Sequence, residues 1–446
     1  MREEYLVALV MFAVLIIGQI VTKNEKKWAA VFLLLASVAG SLAAGMGIRF
    51  REIVEGPFGF LDAALSVACA AVFTGLLYRT GFFEKLLKKI LRTRSAGLKS
   101  ILLLLFIVLP GMFTGLASLS VFTTGKLVGE KLKAQGVSHG KIASVVMAGA
   151  FLGMMLPPNC LPAIIAANGA GSVLPTPYVG FFMPLFVMAL PSLIVFALLN
   201  RKTLGACGKD AEAASPADRT VPASFGKDGI LPLPDEKLPL FETIVFCLVC
   251  AALLVEGLLT SFVYIGGNTL WFFIGALLLL FAKGSGVSAA VDSLFDAVIP
   301  LALLFTLGSF IEVSSMTGVR GIYSLITLPQ TTGGQTTLVM LVLMAVGLAL
   351  SFFLSVPIPA FLVTYAVFPI GWLANPVIVT GISVAAGLAY LFAIRGGLFT
   401  ETARTLELKD VRWGESLKAL WLPALIMLAI ALVFVLYGDP LDFLIM

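Results

Sequence analysis

The sequence predicts an all-α integral membrane protein. It reads as two inverted repeats with about ten transmembrane helices, two re-entrant hairpins and helices interrupted near the bilayer midplane. Three observations predict this: the composition, the partition of basic residues, and a spacing that recurs between the two halves. Of 446 residues, 59% are hydrophobic and 12% charged, roughly half the charged share of a soluble domain. The mean hydropathy is +1.04. Such a chain cannot keep a soluble surface wet, which excludes most soluble enzyme classes. The net charge of +5 is explained by basic loops facing an anionic leaflet and needs no nucleic-acid partner.

A helix needs about 20 apolar residues to cross the hydrocarbon. Ten runs qualify: 4–21, 28–48, 61–78, 142–168, 179–199, 241–263, 268–282, 296–312, 376–399 and 419–437. The first follows Glu3 and Glu4 rather than the basic start of a cleaved signal peptide, so it reads as the first membrane helix. Lys23, Lys26 and Lys27 then place the next loop in the cytoplasm and the N-terminus outside. Seven basic residues lie in 79–99 and four in 126–141, so both loops belong inside. The run between them, 100–125, is therefore expected to enter and return as a hairpin. The uncharged run 335–370, with Pro357 and Pro359 past its middle, reads as a second hairpin entering from outside. With this arrangement 25 of the 30 Lys and Arg face the cytoplasm; Arg2, Arg49, Arg51 and Arg320 lie outside and Arg395 in the membrane.

Each half then holds three crossings, a hairpin and two crossings. That odd number of crossings inverts the second half. Thr80-Gly81 matches Thr317-Gly318, Thr114 matches Ser351, Gly149 matches Gly387 and Pro184 matches Pro423, at offsets of 237, 237, 238 and 239. The expected organisation is a first repeat over 1–200, a cytoplasmic Pro-rich linker over 201–240 and a second repeat over 241–446. Both termini are expected outside a plasma membrane, the inner membrane of a bacterium. Inverted repeats of this kind place a transported solute where their broken helices meet. The same small residues also serve plain helix packing.

Two breaks and two hairpin tips hold the candidate residues. In 153–159, Pro157 and Pro158 deny two N–H donors and end the helix. In 393–397, Arg395 follows 74 uncharged residues. A guanidinium suits bidentate recognition of a carboxylate, although it also has the option of snorkelling or of pairing with Glu401. The substrate candidates are Thr114, Ser118, Asn159, Ser355, Arg395 and Thr400. The candidates for holding Na⁺ through backbone or hydroxyl oxygens are Gly111, Thr114, Gly115, Gly153, Pro157, Pro158, Ser351, Pro357, Gly396 and Gly397. Glu256, inside an apolar run, is either a proton carrier or a group facing a neutral partner or lipid headgroups. The segment 82–92 is amphipathic and expected on the cytoplasmic leaflet. Cys247 and Cys250 read as small apolar residues. With no catalytic constellation and no metal signature, the chain does not read as an enzyme, and no cofactor is implied.

The stretch from Phe73 to Pro184 resembles the large permease subunit of TRAP transporters, in the ion transporter superfamily. The resemblance rests on Thr80-Gly81, the basic segment after it, the tip at Thr114–Ser120 and the Gly153–Pro158 break; the second hairpin and break extend it over most of the chain. It implies an elevator-type importer of a small organic anion such as a carboxylate, coupled to Na⁺. It also implies a small membrane subunit and an extracytoplasmic substrate-binding protein as partners, besides the surrounding lipids. The family's pattern has Ser where this chain has Asn159, and Thr-Pro-Pro where it has Arg395-Gly396-Gly397. A stand-alone transporter, either a symporter or a proton-coupled antiporter or exporter using Glu256, is the other reading.

Overall fold

Inside a bilayer every backbone N–H and C=O must find its partner within the protein, and a helix does this within one segment. A helix lies within or along each of the ten apolar runs. The computed structural model describes residues 2–22, 26–161, 163–165, 178–207, 238–259, 267–321, 345, 375–392, 397–409 and 411–445. The second hairpin apart from residue 345, most of the linker, and Ser351, Ser355, Pro357, Arg395 and Gly396 lie outside the described residues.

The first half opens with α1 (Arg2–Val21) and α2 (Lys26–Ala43). A short α3 (Phe50–Glu55) passes through a 3-10 turn, Gly56–Phe60, into α4 (Leu61–Arg79). Next come α5 (Phe82–Leu91), α6 (Ala96–Thr114), the single turn α7 (Ala117–Ser120), a π-helical turn at Val121–Gly125 and α8 (Lys126–Ala134). They are followed by α9 (His139–Met155), α10 (Phe182–Leu199) and α11 (Arg201–Ala206). The second half comprises α12 (Leu240–Leu259), α13 (Gly267–Leu279), α14 (Val287–Asp296) and α15 (Val298–Met316). Beyond the undescribed stretch lie α16 (Pro376–Phe392), α17 (Leu398–Thr405), α18 (Trp413–Leu417) and α19 (Trp421–Leu436). Five described helices are long and apolar enough to cross a membrane: Phe50–Arg79, Ala96–Thr114, Phe182–Leu199, Leu240–Leu258 and Val298–Met316.

Helix ends recur at the spacing seen between residues. α15 begins and ends 237 positions after α4 (298 against 61, 316 against 79). α16 stands in the same relation to α9 (376 against 139, 392 against 155). The Thr-Gly pairs explain the common stop. Thr80 and Thr317 each return a hydroxyl to a carbonyl of the preceding turn, Leu77 at 3.0 Å and Val313 at 2.8 Å. Gly81 and Gly318 then turn left-handed, at φ +72° and +75°, which glycine enters without the Cβ penalty that other residues meet. Pro184 and Pro423 are each the third residue of their helix, within the first turn, where a missing N–H costs little.

The halves interlock. α4 packs on α13 and α14, while α15 packs on α2 and on the 3-10 turn at Gly56–Phe60. Gly56 and Gly308 meet backbone to backbone at the second crossing, where a Cβ on either residue would fall 2.3–2.4 Å from the other's carbonyl oxygen. At the first, Ser293 of α14 fills the space left by Gly75 of α4. Arg79, at the end of α4, pairs with Asp292 at 3.2 Å.

α5 departs from the sequence expectation. Its apolar residues Phe82, Phe83, Leu87 and Ile90 are buried in the protein. Phe83 packs edge-on against Phe106 of α6, and Phe82 lies tilted against Phe246 of α12. Amphipathic periodicity is the same whether the apolar face meets lipid or a neighbouring helix; here it meets helices.

Candidate functional site

α6 climbs from the basic segment, and the chain turns back at Gly115. Pro110 sits inside α6 without ending it. The helix stops where Gly115 takes φ +70° and its N–H bonds the Gly111 carbonyl. At 1.5 Å per residue the turn lies about 24 Å along the chain from Lys99 and about 16.5 Å from Lys126, each less than the ~30 Å thickness of a hydrocarbon layer. The arms are longer than the run 100–125, because α6 starts at Ala96 and α8 ends at Ala134. The return arm is fastened to the outgoing one: Ser120 Oγ accepts from Gly111 N at 2.7 Å, and Thr124 Oγ1 donates to Ile107 O at 3.3 Å. A π-helical turn such as Val121–Gly125 frequently marks a functional segment.

α9 crosses α6 at Gly111 and Gly153, whose Cα atoms face each other so closely that a Cβ on one would fall 3.2 Å from the other's Cα. α9 ends at Met155, and the cis Pro157-Pro158 bond carries the chain sideways. There Asn159, 1% exposed, joins four segments. Its backbone N–H donates to Met112 O at 3.3 Å and its Nδ2 to Phe113 O at 2.6 Å. Its Oδ1 accepts from Ser66 Oγ of α4 at 3.0 Å and from Asn268 Nδ2 of α13 at 3.2 Å. Asn268 Nδ2 also donates to Pro158 O at 2.7 Å.

The sequence reading leaves the carbonyls and Asn159 at this break seeking an ion or substrate. Asn159 and the facing end of α6 find partners in the protein. A helix leaves its last four carbonyls without intrahelical donors. In α6 the Gly111 carbonyl is met by Gly115 N, and those of Met112 and Phe113 by Asn159. Thr114 is fully buried, donating to Pro110 O at 2.7 Å and accepting from Leu116 N at 3.2 Å. Five phenylalanines enclose this end of α6: Phe113 touches Phe73, Phe246 and Phe272, with centroids 5.6–6.0 Å apart, and Phe82 reaches Phe246 at 5.1 Å.

The structure thus gathers Gly111, Thr114, Gly115, Gly153, Pro158 and Asn159, with Pro157 adjacent in the chain. Ser118 is half-buried on α7, three residues beyond the turn. In the second half, Gly397 is extended ahead of α17, which packs on α7, α9 and the π-helical turn, and Thr400 is exposed. Thr402, one turn into α17, is fully buried, with no hydrogen-bond partner for its hydroxyl among the described residues. Ser66, Asn268 and Thr402 are the residues that sequence reasoning missed. Asn268 had a weak signal as the first amide of an apolar run; Ser66 and Thr402 had none.

Glu256 is 4% exposed. Its carboxylate accepts from Gly267 N at 2.7 Å and Trp271 Nε1 at 2.5 Å. It therefore ties the last turn of α12 to the first turn of α13, where a negative charge also suits the positive end of a helix. The groups gathered at the Asn159 junction are amides, hydroxyls and carbonyls.

These features define a multi-pass helical membrane protein. The chain is similar to the YdaH transporter of Alcanivorax borkumensis, with a TM-score of 0.61 and 13% identity over 94% of this chain and 99% of that one. It is also similar to MtrF of Neisseria gonorrhoeae, described with a class of antimetabolite efflux pumps, with a TM-score of 0.58 and 12% identity over 93% and 95% of the two chains. Both are transporters rather than enzymes. At this identity the likeness is one of fold, and it is not specific to TRAP permeases. The sequence matches no family model and no curated protein.

Proposed function

We propose that the chain is an elevator-type secondary active transporter that imports a small organic anion such as a carboxylate, coupled to Na⁺. The observation that carries this reading is the Asn159 junction. A helix broken inside the membrane meets a hairpin tip there, in a chain whose fold is that of solved transporters. The 237-residue recurrence of helix ends supports two inverted repeats, 1–200 and 241–446, joined by the cytoplasmic linker 201–240, with ten crossings, two hairpins and both termini outside. Support for an anion comes from Arg395, a lone cation after 74 uncharged residues. The substrate contacts are assigned to Thr114, Ser118, Ser355, Arg395 and Thr400, with Asn159 as the frame that holds the first tip and break together. A small membrane subunit and a binding protein complete the assembly if the TRAP likeness extends to partners; otherwise the chain works alone. Uptake of labelled carboxylates into proteoliposomes is the test. Transport indifferent to a Na⁺ gradient refutes the coupling, and unchanged uptake by Arg395→Ala removes that residue from the site.

Export is the second reading, favoured by the likeness to MtrF. It predicts accumulation in inside-out vesicles driven by a pH gradient. In this reading Glu256 is the candidate proton carrier, although its two oxygens already serve to join α12 to α13.

A further inference from the structure

Two short elements away from the Asn159 junction answer each other across the molecule. α3 with its 3-10 turn, and α14, each carry three rows of residues, and the rows recur at the 237-residue spacing (287 against 50). The inner row is Glu52, Gly56 and Phe60 in the first element and Ala289, Ser293 and Ala297 in the second; Gly56 is half-buried and the others are buried. Gly56 lies against Glu312 of α15, and Ser293 against Gly75 of α4. The same spacing exchanges those two contacts (293 against 56, 312 against 75). The second row is apolar and open: Phe50, Val54 and Phe58 are 60–71% exposed, and Val287, Val291 and Phe295 are 43–72% exposed. The third row is polar and exposed, with Arg51 and Glu55 in one element and Ser288, Asp292 and Asp296 in the other. Each element joins its spanning helix through a residue with bridge-region dihedrals, Phe60 (φ −110°, ψ 10°) before α4 and Ala297 (φ −96°, ψ −2°) before α15.

The helices they rest on set their depth. α3 leads into the start of α4, while α14 lies near its end, where Arg79 pairs with Asp292 at 3.2 Å. The 19 residues of α4 span about 28 Å, close to the ~30 Å of a hydrocarbon layer. The whole run Phe50–Arg79 has 30 residues, about 45 Å of helix, so its first turns exceed what one crossing needs. The two elements therefore lie at opposite boundaries of the bilayer. A helix lying along such a boundary on a protein meets protein on one side, acyl chains on another and water on a third. The three rows match those three surroundings. We propose that α3 and α14 are a pair of interfacial anchors, one in each leaflet, with the apolar row in the acyl chains and the polar row among headgroups and water. Together they hold α4 and α15 at a fixed depth. The occupant of the apolar rows is lipid: a strip of three side chains bordered by charge is well short of the ~800 Å² per partner that a stable dimer buries. The arrangement holds whatever the solute and the coupling ion.

The test uses the full-length protein in vesicles of phosphatidylethanolamine and phosphatidylglycerol. Nitroxide labels are placed on Val54→Cys and Val291→Cys in the apolar rows and on Glu55→Cys and Ser288→Cys in the polar rows, and the signal of the labelled wild type is subtracted. Collisions with oxygen, which concentrates in acyl chains, are compared with collisions with a water-soluble nickel chelate. Labels in the apolar rows are expected to favour oxygen and those in the polar rows the chelate, a reversal between neighbouring residues in both elements. Phe50→Cys and Val287→Cys sample the same apolar rows if either valine variant does not fold. Apolar-row labels closed to both reagents, with broadening between protomers, overturn the proposal by showing a second copy there. Apolar-row labels open to the chelate overturn it as well. In intact cells an impermeant maleimide should modify Glu55→Cys, and should reach Ser288→Cys only once the membrane is opened. Modification of both from the same side overturns the placement in two leaflets.

Discussion

The side-chain amide of Asn159 donates to the carbonyl of Phe113 at 2.6 Å, so a residue just past the break of α9 caps the end of α6. Removing that side chain strands three groups at once: the Phe113 carbonyl, the Ser66 hydroxyl and one N–H of Asn268. A buried polar group left without a partner costs about 1–3 kcal/mol. Asn159→Ala is therefore expected to lower Tm in detergent well beyond the effect of an alanine placed at an exposed residue such as Lys133. An unchanged Tm would show that the amide does not brace the tip.

Gly115 combines two constraints that mutation can separate. Its φ is +70°, and a Cβ there would lie 2.3 Å from Asn159 O. Gly45 has nearly the same φ, +68°, with nothing within 4 Å of its would-be Cβ. Gly45→Ala should cost only the left-handed strain of about 1–2 kcal/mol. Gly115→Ala should cost more and also depress transport, since the tip must move off the break. Equal losses of Tm in the two variants would mean that the contact is easily relieved.

Much of this fold is legible in the sequence because the bilayer simplifies the rules. A crossing needs a long apolar run, so the helices stand out, and the Thr-Gly pairs mark two of their ends because only glycine turns left-handed without cost. The hairpin turn is harder to place. Pro110 looks like the breaker, yet α6 carries it and stops at Gly115. The site is legible only in outline. Pro157-Pro158 announces a break, but the partners of Asn159 stand 93 and 109 positions away at Ser66 and Asn268, and no local pattern links them. The face of α5 is ambiguous for another reason: burial against Phe106 and Phe246 leaves the same periodicity as burial in lipid.

Glu256 distinguishes a brace from a proton carrier. Hydrogen bonds to a charged group contribute about 1.5–3 kcal/mol, and a glutamine amide would turn a donor toward either Gly267 N–H or Trp271 Nε1–H. Glu256→Gln is expected to lower Tm while leaving the response of transport to a pH gradient as it was. Loss of that response with an unchanged Tm would make Glu256 the proton carrier of an exporter.

Cys207 offers a pH-dependent test of how α11 packs on α6. It follows α11, is fully buried, and its backbone carbonyl accepts from Lys99 Nζ at 3.2 Å. Burial pushes its thiol up to about 11, against a smaller downward pull from Lys99 and Lys131. The neutral thiol is the form the folded protein favours, so its contribution to stability is complete below the unfolded value of 9.0 and is lost as the pH rises toward about 11. The thiolate is the reactive species. In a variant whose other cysteines are serine, a water-soluble maleimide should leave Cys207 unlabelled at pH 7 and label it only as alkali ionises or loosens the site. Rapid, complete labelling at pH 7, read by intact mass, would show that α11 does not close over the start of α6.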